Sequence, residues 1–192
     1  MRRKTFDTLV SGAGLLVAVV LLIAGALGFW AYSFANSQVH DQLAAQQIYF
    51  PPAGSAAIAG PQFAALQQYA GQQLTTGAQA EAYANHFIAV HLTEVAGGKT
   101  YSQVSTLAQA DPTNTTLAAQ VNTLFKGTTL RGMLLNAYAF WQIGQIALIA
   151  SIVCFVAAFA FLVLSVFGMF HARRVPVEVE ILAPRVAVPV GV

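Results

Sequence analysis

The sequence predicts an all-α membrane protein, in which two transmembrane helices carry an extracytoplasmic bundle of about four to five helices. Three observations predict it. Two long stretches, Thr8–His40 and Gly132–Ala172, contain no Asp, Glu, Lys or Arg. Charged residues make up 8% of the 192-residue chain and hydrophobic residues 57%, where a soluble domain carries roughly 25% charged residues to keep its surface wet. Between the two stretches apolar residues recur at helical spacing, with neither β-alternation nor a sequence repeat.

Residues 1–8 form a short basic start, Met1-Arg2-Arg3-Lys4, followed by Asp7. Residues 9–35 are the first transmembrane helix. A secretory signal also opens with basic residues and an apolar core, and Ala31-Tyr32-Ser33 resembles its cleavage site. Such a core runs only about 7–15 residues, however, and this one is roughly twice that, so the span is expected to be retained. Residues 36–140 form the extracytoplasmic helical domain, 141–170 the second transmembrane helix, and 171–192 the cytoplasmic tail. Arg2, Arg3 and Lys4 precede the first span, and Arg173 and Arg174 follow the second. Lys and Arg favour the cytoplasmic side, which places both termini inside a plasma membrane. Trp30, Tyr32, Tyr138 and Trp141 suit an interfacial aromatic belt.

Within the outer segment, Asn36–Tyr49 prolongs the first helix, with Val39 and Leu43 on one face, until Pro51-Pro52 stops it. Ala53–Gly60 reads as a loop. Pro61 suits a first helical position, and Phe63, Leu66, Ala70 and Leu74 make one stripe. Ala78–Ala96 is a third helix, ended by Gly97-Gly98. Thr100-x-x-Gln103 is a capping box for a fourth. Asp111-Pro112 offers an N-cap and a Pro at the next position for a fifth, carrying Leu117, Val121, Leu124 and Phe125. Gly127 should end that helix and Thr128 cap the last one, along which Leu130, Leu134, Ala137 and Trp141 recur. In the tail, VPVEVEIL and VAVPVGV alternate in a strand-like way, but an isolated hairpin is marginal in water. A disordered or partner-bound extended tail is the expectation.

The chemistry is mostly a matter of exclusion. A net charge of +2 with no basic face or run argues against nucleic-acid binding. The lone Cys154 allows no internal disulfide. No HExxH, CxxC or phosphate-binding glycine pattern is present, and no Ser, Cys or Thr stands in a nucleophile motif. The sequon-like Asn114-Thr115-Thr116 is accounted for by a helix start. His40, His86, His91 and Glu94 are the metal candidates, since imidazole and carboxylate can hold zinc or iron. On an ideal helix, though, His86 and His91 point about 140° apart. His91 also shares a stripe with Ala84, Phe87, Ile88 and Val95, where a hydrogen-bonded core imidazole is the ordinary reading. No metal, cofactor or catalytic residue is expected. In the spans, Gly25 and Gly28, with Ala157, Ala158 and Ala160, permit close helix approach, either within one chain or between chains. Neither span carries an ionisable group at its centre besides the Cys154 thiol, which argues against an ion pathway.

Three stretches, FDTLVSGAGLLVAVVLLIAGALGFWAYSFANSQVHDQLAAQQIYFPP, EAYANHFIAVHLTEVAGGKTYSQVS and LFKGTTLRGMLLNAYAFWQIG, together resemble uncharacterised two-pass membrane proteins of actinobacteria. Some members of that family bear an aromatic ring-opening dioxygenase label. The label implies non-haem iron held by two His and a carboxylate, and no such motif maps onto this chain. The resemblance implies a bacterial plasma membrane and supplies no functional residues. The expected role is that of a non-catalytic scaffold or interaction component, in contact with the lipid bilayer and with a protein partner or further copies of itself. The alternative is a ligand-sensing module that signals through a partner protein.

Overall fold

The structure, a computed structural model, describes residues 2–176, so the strand-like tail reading from residue 177 onward lies outside the described residues. Those residues are helical, with no named strand among them. Helix α1 spans Arg3–Ala45, α2 Gly77–Ala82, α3 Ala89–Ala96, α4 Tyr101–Ala110 and α5 Thr115–Arg174. Both α1 and α5 are long and apolar enough to cross a membrane. The chain divides into two compact units: Met1–Trp30 with Ala147–Val192, and Ala31–Ile146.

The first unit is an antiparallel helix pair closed by a seam of small side chains. On α1 the inward positions are Ser11, Gly14, Ala18, Leu21, Gly25 and Gly28, buried or half-buried, at alternating spacings of three and four. That is the heptad spacing, which keeps one seam facing a partner helix. On α5, Ser151, Cys154, Ala158, Ser165, Gly168 and Ala172 follow the same rhythm. Gly14 faces Ser165, Gly28 faces Ser151 and the Ala147 carbonyl, and Gly168 faces Ser11. The outward residues are large and apolar, among them Leu16, Val20, Ile23, Val156, Phe159 and Leu164.

In the second unit, α1 stops at Ala45, short of Pro51-Pro52. Gln47 takes a left-handed φ of 52°, and the Gln73 side-chain amide donates to the Ala44 carbonyl at 2.8 Å. An orphan carbonyl at the helix end is thereby satisfied. Two extended pieces then pair briefly: Phe50 N donates to Gln72 O at 2.9 Å and Leu74 N to Ile48 O at 2.8 Å. Pro61–Tyr69 is a 3-10 helix, where an α-helical stripe was expected. At three residues per turn, Phe63, Leu66 and Tyr69 align on one face. Phe63 and Leu66 are buried there, and Leu74 is buried from the extended piece that follows.

The expected third helix is present from Gly77 to Ala96, with a π-helical turn at Tyr83–Ile88 between α2 and α3. Its inward residues, Ala80, Ala84, Ile88, Leu92 and Ala96, are spaced by four throughout. On a pure α-helix each such step drifts by about 40°, and the wider π turn takes up part of that drift. Gly97 closes the helix at φ 59°, and the Gly98 N–H reaches back to Thr93 O at 2.9 Å. Only a residue without Cβ adopts that conformation cheaply. The capping box of α4 forms as the sequence implies, with Thr100 and Gln103 bonded reciprocally.

Two expected boundaries differ. Asp111 ends α4 rather than starting α5, and Asn114 caps α5 by accepting from Leu117 N at 3.1 Å. Gly127 ends nothing, because α5 is a single helix of 60 residues. The glycine instead leaves room for Leu92 of α3, whose methyl groups would collide with any Cβ there. The stripe on α5 also turns differently from the expectation. Leu124 is buried beside Val104 and Ala96, while Phe125 is 56% exposed and lies against the Tyr101 ring.

Candidate functional site

The metal candidates do not assemble into a site. His40 is exposed on α1, with its Nδ1 3.2 Å from Oδ1 of its neighbour Asp41. His86 is half-buried on the π turn, and Glu94 is exposed on α3. The half-buried His91 donates from Nδ1 to the Phe87 carbonyl at 2.8 Å, which fixes the ring and occupies one of its nitrogens. The ring packs on Phe87 and Phe63, at centroid distances of 4.5 and 5.7 Å. Among the described residues no three His, Cys, Asp or Glu side chains come close enough together to hold a metal ion. The π turn also removes the ideal-helix geometry behind the 140° divergence of His86 and His91, since the residues per turn differ along that stretch.

The small residues singled out in the spans fall unevenly. Gly25 is buried against Phe155, Gly28 is half-buried against Ser151, and Ala158 is buried. Ala157 is half-buried, and Ala160 is exposed, off the heptad seam. The polar members of the seam, Ser11, Ser151 and Ser165, are each at most 5% exposed. Periodicity could have located them. Serines 151 and 165 stand fourteen positions apart on α5, two heptads in phase with Ala158.

The aromatic residues expected in an interfacial belt also divide. Trp30 is 64% exposed. Trp141 lies against the core of the second unit, over Gly77 at the start of α2, and Tyr138 stacks on it at 6.1 Å. Gly77 has no side chain, so the indole can close directly on the helix backbone.

A concavity of the Ala31–Ile146 unit runs between α1 and α5. It holds about 740 Å³ and is walled by Val39, Leu43, Leu134 and Ala137, with Met133 and Phe140 at its edge. Its polar residues are Gln38 and Gln42, one helical turn apart along α1, Gln46 just past the end of that helix, and Asn136 on α5. No charged residue lines it. Met133 and Phe140 are each 64% exposed, so the groove has an apolar lip with neutral amides beside it. Exposed apolar patches mark protein–protein or membrane interaction sites. Sequence reasoning followed the Leu134, Ala137 and Trp141 stripe and missed Met133 and Phe140 on another face. The signal was there: MLLNAYAFW is apolar nearly all round, and a helix of that kind is covered on more than one side.

Compared with protein-family models, with curated proteins and with solved structures, the chain finds no match in any of the three.

Proposed function

We propose that this chain is a non-catalytic integral membrane protein of the plasma membrane, a scaffold or interaction component that acts through its helical domain. Both spans are retained and both termini are cytoplasmic, with the Ala31–Ile146 unit outside. The flanking charges support that orientation: Arg2, Arg3 and Lys4 before one apolar stretch, Arg173 and Arg174 after the other. The observation that carries the interaction reading is the groove between α1 and α5. Its occupant is an apolar face of a helix from a protein partner. A charged segment would lose its hydration against walls that offer no counter-charge, whereas neutral amides tolerate an apolar neighbour and can bond its backbone ends.

A photo-crosslinking residue placed at Met133 or Phe140 in native membranes tests this. A discrete adduct with one other protein is expected from both positions, and none from the exposed Thr106 on α4. Adducts between copies of the chain would reassign the groove to self-association. Lipid adducts alone, or equal adducts from Thr106, would overturn the reading.

The ligand-sensing alternative draws support from α5, which runs unbroken from Thr115 to Arg174. A displacement of one end of a continuous helix is felt along its length. In that reading the output belongs to a partner protein.

A further inference from the structure

We propose that a second cavity of the Ala31–Ile146 unit binds a small oxyanion, a phosphate or carboxylate group, with Arg131 as its anchor. The cavity holds about 340 Å³ and lies among α3, the start of α4 and α5. That is at the lower end of the range for small-molecule sites, roughly 300–1,000 Å³.

The electrostatics point to the class of ligand. Arg131 lines the cavity and is half-buried. Its Nη2 donates to Asn85 Oδ1 at 2.8 Å, and the Asn85 amide in turn donates to Glu81 Oε1 at 2.7 Å. Glu81 therefore orients the amide without reaching the guanidinium. Arg131 Nε is buried and has no hydrogen-bond partner. Among the described residues Arg131 makes no ion pair. A partly desolvated cation is ordinarily paired, and leaving a buried donor unmet is costly. The guanidinium is thus held by a neutral amide, with Glu81 only beyond it, and it has no ion pair of its own where it lines the cavity. An incoming oxyanion would supply one at its accessible nitrogens, the occluded Nε not among them.

The rest of the lining agrees. Lys99 supplies a second cation, and no carboxylate lines the cavity. Ser102 and Thr128 add hydroxyls on the same walls. Leu92 and Leu124 form an apolar side, which suits a ligand with a small carbon skeleton behind its charged head. The first turn of α4 is already closed by its Thr100–Gln103 capping box, so the site rests on the side chains and not on that helix end. The proposal is independent of the groove between α1 and α5, and either can fail alone.

The full chain, purified in detergent, is titrated with inorganic phosphate in one arm and succinate in the other, at constant ionic strength. Thermal unfolding is the readout. A saturable rise in Tm with at least one probe is expected, and the stronger arm identifies the head group. Arg131→Gln, which retains a group able to bond Asn85, should weaken binding by about tenfold or more, the loss of one charge-assisted bond. The exposed Lys99→Gln should weaken it by less without touching the Arg131–Asn85 contact, and it covers the case in which Arg131→Gln fails to fold. Lys126→Gln, an exposed cation outside the cavity, should change nothing. No saturable shift with either probe, or equal shifts in wild type and Lys99→Gln, would overturn the proposal.

Discussion

Ser151 Oγ donates to the Gly25 carbonyl at 2.7 Å, joining two residues 126 positions apart in the chain. The bond forms because Gly25 and Gly28 let the two helices close on a serine, and because that serine is 1% exposed. In an apolar surrounding such a bond between helices is worth about 0.6 kcal/mol on average. Ser151→Ala should therefore lower stability by an amount of that order. Gly28→Leu forces a branched side chain into the Ala147 carbonyl and the Ser151 side chain and should cost more, about 1–3 kcal/mol. Unfolding of the two variants in one detergent ranks them, and equal losses would contradict the close approach at Gly28.

Leu124 and Phe125 are neighbours with opposite fates. Leu124→Ala should destabilise by about 2–5 kcal/mol, as deletion of a buried leucine does. Phe125→Ala removes an exposed ring that touches Tyr101, and its effect should stay within about 1 kcal/mol. Thermal melts of the two alanine variants decide the matter, and a larger loss at Phe125 would refute the observed rotation of the helix.

Gly77 meets Trp141 so closely that an added Cβ would strike the indole at its base. A ring cannot swing aside as the end of a long side chain can, so Gly77→Ala should cost about 1–3 kcal/mol although alanine is the better helix former. Trp141 fluorescence gives a direct readout, since a displaced ring changes its emission. Gly127→Ala sets the contrast. Its obstacle is the tip of Leu92, which can turn, so the added helix propensity of about 1 kcal/mol offsets the repacking.

Tyr83 packs edge-on against Phe50 at 5.2 Å and over Phe87 at 4.7 Å. Burial raises its phenol above the ordinary value of 10.0, because the phenolate is the form that loses solvation. The sign follows from linkage. The stabilising contribution is complete below the unfolded pKa near 10 and is lost as pH rises through the higher folded value. An absorbance titration at alkaline pH should show one tyrosine ionising late, and Tyr83→Phe should remove that late component while leaving the others in place.

For orientation, a cysteine at Ser55, in a chain carrying Cys154→Ala, should be labelled by an impermeant reagent on intact cells. One at Thr5 should be labelled only after lysis. The reverse pattern would invert the proposed topology.

The parts of the fold legible in the sequence are those set by local chemistry. Thr100 with Gln103, and Gly97 after an apolar run, announce helix ends because capping needs only a few adjacent residues. What escaped depends on partners distant in the chain. Gly127 looks like a stop and is a gap for Leu92, a residue of another helix. Pro61 begins a 3-10 helix whose face is chosen by the core that Phe63 and Leu66 enter. Phe125 and Leu124 are equally apolar, and only the packing of α5 on Val104 decides which one is buried. Of the candidate sites, the groove and the cavity lined by Arg131 are built from segments far apart in sequence, so spacing alone could not reveal them. His91 was readable because its hydrogen bond stays within one helical turn.

The seam of Ser11, Gly14, Ala18, Leu21, Gly25 and Gly28 constrains how the chain can change length. Deleting one residue within it would turn everything beyond by about 100°, setting large side chains where serines and glycines now meet. Deleting seven preserves the facing but slides one helix past the other by about 10 Å, and matching deletions on both helices restore the alignment. The two apolar helices can thus lengthen or shorten only together and in whole heptads, so that the pair behaves as a vernier whose divisions are its smallest residues.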